Sequence, residues 1–107
     1  MGYKYHPKNK KELIKVIEDH YKNNIFNLND IDVSQITDFS KLFYEDKHTC
    51  HKDFDVIHWD VSNGQNFSAM FYNCYNFNCD LSKWNVSKGK DFTKMFAYCT
   101  NFNSDLS

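Results

Sequence analysis

Laid against itself at an offset of 25 residues, the chain matches Trp59-Asp60-Val61-Ser62-Asn63-Gly64 to Trp84-Asn85-Val86-Ser87-Lys88-Gly89. The correspondence continues through Phe67/Phe92, Met70/Met95, Phe71/Phe96, Cys74/Cys99, Asn76/Asn101, Phe77/Phe102, Asn78/Asn103, Asp80/Asp105, Leu81/Leu106 and Ser82/Ser107, giving 14 identities in 24 aligned positions. A fixed period of about 20 to 50 residues restricts a chain to repeat architectures, because one short unit cannot bury its apolar face until a neighbour packs on it. The period predicts a solenoid.

A degenerate earlier copy begins at Ile31-Asp32-Val33-Ser34, runs through Asp38-Phe39-Ser40-Lys41-Leu42-Phe43, and reaches Trp59 three residues late. The extra residues fall between Phe43 and Asp55. The organisation read from this is one domain: a lead-in over residues 1–26, a first copy with an insertion over 27–58, and two regular copies over 59–83 and 84–107.

Within a copy, Phe77-Asn78-Cys79-Asp80-Leu81-Ser82 alternates apolar with polar residues, and Trp84 and Val86 follow, which predicts a short strand and turn. Gly89 suits a bend, since glycine has no penalty at positive φ. Asp91-Phe92-Thr93-Lys94-Met95-Phe96 places apolar residues at i, i+3 and i+4, the spacing of one helical face. The expected fold class is therefore an α/β repeat solenoid: a short parallel sheet with one short helix or helical turn per coil.

The lead-in reads differently. Asn9-Lys10-Lys11-Glu12 has the form of a capping box, and Leu13, Ile14, Ile17 and Tyr21 make an apolar stripe opposed by charged residues. An amphipathic helix over residues 9–23 is predicted, covering the first coil, because an open array end exposes apolar surface and unpaired edges. No comparable cover is legible at Asp105-Leu106-Ser107, so self-association through an uncapped C-terminal coil is an expectation.

The pattern W-[DN]-V-S, then F-[ST]-x-M-F, then C-x-N-F-N-x-D-L-S resembles the repeats of BspA-like leucine-rich-repeat surface proteins of bacteria, and Lys4 to Leu13 is similar to the stretch that precedes such arrays. The resemblance implies a leucine-rich-repeat-like solenoid with a cell-surface or secreted location and an adhesion or protein-binding role. It carries over no catalytic residues. The start of the chain, Met1-Gly2-Tyr3-Lys4-Tyr5-His6-Pro7, has no apolar h-region of a secretory signal.

Chemistry beyond binding finds little support in the residues. Thirteen Lys, no Arg and fourteen acidic residues give a formal charge of −1, so no global field draws nucleic acid. No apolar run approaches the roughly 20 residues that span a bilayer. No GxSxG, P-loop or GxGxxG occurs, and the expectation is a protein that is not an enzyme and needs no cofactor. Cys74 and Cys99 share a repeat position, so stacked coils bring them roughly 5 Å apart, within reach of a disulfide. The plainer reading is a pair of small buried hydrophobes. His48, Cys50 and His51 are donors that bind metals, yet their spacing matches no metal motif and a polar loop accounts for them. Asp80 and Asp105, recurring with the period, suit hydrogen bonds to turn amides. Together with Trp59, Trp84, Phe71, Phe96, Cys74 and Cys99 they form the expected structural ladder.

Positions that recur hold the copies together, whereas positions that change are free to face solvent. The changing set includes Gln65/Lys90, Ala69/Lys94, Tyr72/Ala97, Asn73/Tyr98 and Tyr75/Thr100. Tyr72, Tyr75 and Tyr98, with Lys90 and Lys94, are the candidate binding residues, because exposed tyrosine gives contact area with a hydrogen-bonding tip. The expected partner is a protein or a glycan; a spacer or self-assembling segment is the alternative.

Overall fold

Residues 2–74, 77 and 79–99 are described by the computed structural model. Helix α1 spans Lys10–Lys22 and begins as a capping box should, with the Asn9 side chain accepting from the Glu12 N–H at 2.9 Å. The Glu12 carboxylate reaches back to the Lys8 N–H at 2.9 Å. At the other end Asn24 turns left-handed, φ 58°, and the amides of Ile25 and Asn24 close on the carbonyls of His20 and Tyr21 at 2.9 and 3.0 Å. This is a Schellman stop with asparagine in the place glycine usually takes. Leu13, Ile17 and His20 are the buried positions of α1, while Ile14, read from sequence as part of the stripe, is exposed.

Beyond α1 the backbone follows a different rule. In the first copy the amides of Phe39, Lys41, Phe43 and Glu45 donate to the carbonyls of Asn66, Ser68, Met70 and Tyr72 in the second, at 2.8 to 3.0 Å. In the second, those of Phe67, Ala69, Phe71 and Asn73 donate to Asp91, Thr93, Met95 and Ala97 in the third, at 2.8 to 2.9 Å. The amides between them close local turns, Leu42 on Phe39, Tyr44 on Lys41 and Asp46 on Phe43, and likewise Met70, Tyr72 and Cys74 on Phe67, Ala69 and Phe71. Alternate amides thus serve the turn and the neighbouring copy, which satisfies the backbone without a helix or a strand.

This overturns the expected fold class. The described residues hold only isolated parallel bridges, Tyr5 with Ile31, Asn27 with Asp55, Asp38 with Asn66 and Asn66 with Asp91, and no sheet. The body measures 31 × 30 × 24 Å, a compact globule and not a sheet-bearing, leucine-rich-repeat-like solenoid. The F-[ST]-x-M-F segments are not helical because Lys41 and Glu45, Ala69 and Asn73, and Lys94 and Tyr98 all sit at φ between 51° and 64°. A left-handed residue every fourth position ends each helical turn before a second can form. The alternating segment after Phe77 is no strand in its described part: Asp80 accepts from the Ser82 N–H at 2.9 Å and the Trp84 N–H closes a turn on Leu81 at 3.0 Å. Nor does any glycine among the described residues have positive φ. Gly64 and Gly89 are needed because a β-carbon there would run into the rings of Phe67 and Phe92.

Aromatic columns fill the interior. Phe39, Phe67 and Phe92 stack at centroid spacings of 5.4 and 5.3 Å, and Phe43, Phe71 and Phe96 at 5.4 and 5.7 Å. Offset stacks of this kind contribute about 0.5–1.5 kcal/mol per pair beyond the area buried. The indole N–H of Trp59 donates to the Leu28 carbonyl at 2.7 Å and that of Trp84 to Val56 at 3.0 Å, so each tryptophan ties the start of its copy to backbone about one repeat earlier in the chain. Polar contacts join helix α1 to this body. His20 Nε2 lies 2.9 Å from Asp30 Oδ1, the Tyr21 hydroxyl donates to Asp46 at 2.9 Å, and Lys10 Nζ donates to Ser40 Oγ at 3.0 Å.

Candidate functional site

The tight turns that follow each phenylalanine push the next side chain outward. After Phe43 comes Tyr44, after Phe71 comes Tyr72, and their rings stack at 4.8 Å with planes 6° apart. Tyr98 meets Tyr72 edge-on at 5.5 Å and is 66% exposed. Three tyrosines from three copies therefore form one surface column, with Lys41 Nζ 5.9 Å from the Tyr44 ring centre. Of the residues singled out from sequence, the structure brings Tyr72 and Tyr98 together; Tyr75 and Asp105 lie outside the described residues. Lys90 and Lys94 are exposed, Lys94 at φ 57°. Tyr44 was missed because the first copy is degenerate, although the Phe43-Tyr44 and Phe71-Tyr72 pairs, 28 residues apart, carried the signal.

The four cysteines are free thiols. Cys74 Sγ donates to the Phe43 carbonyl at 3.0 Å and Cys99 Sγ to Phe71 at 2.8 Å, one copy apart and in the same role. Burial pushes the Cys74 thiol up to about 11, where it stays protonated and poorly nucleophilic. The Cys79 thiol, also pushed up by burial to about 11, lies 3.8 Å from an Asp55 oxygen.

The inserted residues form a short 3₁₀ turn, η1, over Lys47–Cys50, started by Asp46. His48, Cys50 and His51 are drawn to separate partners. His48 stacks on Tyr21 at 4.1 Å with its Nδ1 2.9 Å from Asp46, His51 stacks on Phe26 at 4.0 Å, and Cys50 Sγ donates to the Lys47 carbonyl. Among the described residues no group of three His, Cys, Asp or Glu side chains is placed to hold a metal. Burial, reinforced by the Asp46 carboxylate, raises the Tyr21 phenol far above its ordinary value, so the bond that holds α1 to the insertion stays protonated. Aspartates and asparagines elsewhere do similar local work: Asp32, Asp38, Asp60, Asn66, Asp80, Asn85 and Asp91 each accept from the amide two residues on.

The family model described as Mycoplasma protein of unknown function, DUF285, matches residues 11–107. The chain belongs to the DUF285 family. No curated protein and no solved structure matches it. The DUF285 match begins inside α1 and takes in all three copies, so the tyrosine column, the buried thiols and the inserted turn all lie within the DUF285 region.

Proposed function

We propose that this DUF285 chain is a non-catalytic protein-contact module that uses the Tyr44–Tyr72–Tyr98 column as its binding face. The observation that carries the reading is that column. Three large amphipathic side chains line up on turns, in positions whose residue type changes from copy to copy, while the positions beneath them repeat. Rigid tyrosine offers contact area at small conformational cost and a hydroxyl for hydrogen bonding. Because Tyr44 and Tyr72 turn a ring face on each other, ring edges and hydroxyls are what they present, which suits a polypeptide better than the flat face of a sugar. The resemblance of the W-[DN]-V-S and F-[ST]-x-M-F motifs to BspA-like surface proteins supports an adhesive role in the same sense. The aspartates in the repeats are engaged in turns, which supports a role without catalysis.

The test compares the immobilised chain with a Tyr44→Ser, Tyr72→Ser, Tyr98→Ser variant whose circular dichroism and melting are native-like. Proteins retained by the parent from extracts of producing cells, and from the medium or tissue around them, should be lost from the variant. An unchanged retained set would remove the tyrosine face from consideration, and retention of glycan alone would replace the protein partner. Cleavage by protease added to intact cells is expected for a surface adhesin; protection until lysis would overturn that location.

A further inference from the structure

All three copies close the turn after their valine with the same bond: the amides of Ile36, Gly64 and Gly89 donate to the carbonyls of Val33, Val61 and Val86 at 2.8 to 3.0 Å. The residue just before that amide differs from copy to copy, being Gln35, Asn63 and Lys88. Asn63 is exposed, yet its carboxamide is engaged on both sides. Its Nδ2 donates to the Ser34 carbonyl of the first copy at 2.8 Å, and its Oδ1 accepts from Lys88 Nζ of the third at 3.0 Å. A single side chain at a changing position thus links its own copy to both neighbours.

Asn63-Gly64 is also the one Asn-Gly step in the sequence. Asparagine before glycine is the pair most prone to deamidate, because no side chain hinders the glycine nitrogen as it approaches Cγ and the glycine backbone bends freely. The deprotonated Gly64 nitrogen bonds to Asn63 Cγ, the Cγ–Nδ2 bond breaks, and ammonia leaves a succinimide ring behind. Water from the solvent then opens the ring, at Cγ to give aspartate or at the main-chain carbonyl to give isoaspartate. Packing fixes half of this pair, since a β-carbon at Gly64 would run into the Phe67 ring. The equivalent pairs are inert by comparison: Gln35-Ile36 would have to close a larger ring against a branched neighbour, and Lys88-Gly89 has no carboxamide.

We propose that Asn63-Gly64 is a modification site of this chain, held closed by the stacked copies and converted to aspartate or isoaspartate when they part. Two features hold it closed. The attacking nitrogen belongs to a buried residue and its proton is committed to the Val61 carbonyl, while the carboxamide is held from either side by Ser34 and Lys88. Reaction therefore waits for a local opening that frees both. Once made, the change works against reclosure. A carboxylate at position 63 sets an acceptor against the Ser34 carbonyl, where Nδ2 had donated, while Lys88 keeps its contact as an ion pair. Isoaspartate also routes the backbone through Cγ, lengthening the turn just ahead of the Gln65 and Asn66 amides that donate to Thr37 in the first copy. The first and second copies are loosened from each other, and the second and third stay joined. The proposal is independent of the tyrosine face.

The test ages the full chain at mildly alkaline pH and reads deamidation by peptide mass mapping and isoaspartate by enzymatic methylation. In the chain held unfolded in urea, Asn63 should react before any other asparagine; in the folded chain it should react at least about tenfold more slowly. Urea added below the unfolding transition should quicken the reaction in proportion to hydrogen exchange at Gly64, since one opening governs both. Asn63→Asp, which stands for the product, should quicken exchange at Gln65 and Asn66 and leave it unchanged at Phe67 and Ala69, whose amides reach the third copy. Should that variant fail to fold, the parent aged to partial conversion and separated by charge gives the same comparison. The proposal is overturned by equal rates in the folded and unfolded chains, by deamidation that stays flat while Gly64 exchange rises, or by unchanged exchange at Gln65 and Asn66 after conversion.

Discussion

The first and third copies are built from the same turn and are covered differently among the described residues. At the first copy, α1 and the inserted turn close over the row, and Phe39 and Phe43 are buried on all sides. At the third, the equivalent Phe92 is half open and a cleft lies beside it. The difference teaches that the repeat by itself supplies stacking and cross-copy hydrogen bonds, while the cover over the first copy comes from elsewhere. That cover is built from sequence outside the period: the capping box, the Asn24 stop and the Tyr21–Asp46 and His20–Asp30 contacts.

The sharpest way to break this comparison is to remove the same ring at both ends. Phe39→Ala should cost about 3–5 kcal/mol and Phe92→Ala about 1 kcal/mol in urea unfolding, because only the first leaves an enclosed cavity. Equal costs would mean the third copy is as enclosed as the first. The glycines come next. Gly64→Ala should cost about 1–3 kcal/mol, since Phe67 is held between Phe39 and Phe92 and cannot yield. Gly89→Ala should cost less, because the exposed Phe92 can swing away; the same melts decide it.

Alkaline pH probes the interior shared by both ends. The Cys74 and Cys79 thiols are raised from 9 to about 11, so the folded chain favours their neutral forms. Their contribution is present below pH 9 and is lost as pH rises through 11, and stability should fall across that window. Replacing both by Ala should flatten the fall. At pH 8 iodoacetamide should modify the exposed Cys50 first, read by peptide mass mapping. A smaller effect belongs to the covered end alone: Tyr21→Phe should cost about 1 kcal/mol by removing the bond to Asp46, with faster exchange in α1. The smallest has the opposite sign. Lys94→Gly should stabilise by about 0.5–1 kcal/mol, since glycine accepts φ 57° without strain.

These contrasts also mark what could be read from residues alone. The copies declared themselves through 14 shared positions, and α1 through Asn9 and Glu12, because period and capping chemistry are written in residue type. The turn row was not legible. Phenylalanine and methionine at i, i+3 and i+4 serve a helical face and a succession of tight turns equally well. What separates the two is the left-handed backbone at Lys41, Glu45, Ala69, Lys94 and Tyr98, residues with no preference for it. Cross-copy hydrogen bonding imposes that conformation, so it belongs to the assembled array and not to any segment. The binding face was half legible: Tyr72 and Tyr98 stood out as changing positions, while Tyr44 needed the degenerate copy to be aligned through Phe43.

The placement of the insertion has a consequence for how such a chain can change length. The last amide of the first row that reaches the second copy is that of Glu45, and η1 starts two residues later at Lys47. Phe54 and Asp55 then resume contact, Phe54 on Phe43 and Asp55 on Phe26. Between Glu45 and Phe54 no backbone amide reaches the second copy, and the stretch is held instead by its own turn bonds and by His48 on Tyr21 and His51 on Phe26. The three residues added there leave the cross-copy rungs in register, whereas a one-residue change within Phe39–Glu45 would throw every rung after it out of step. In the first copy, added length and the surface it creates are confined to that stretch.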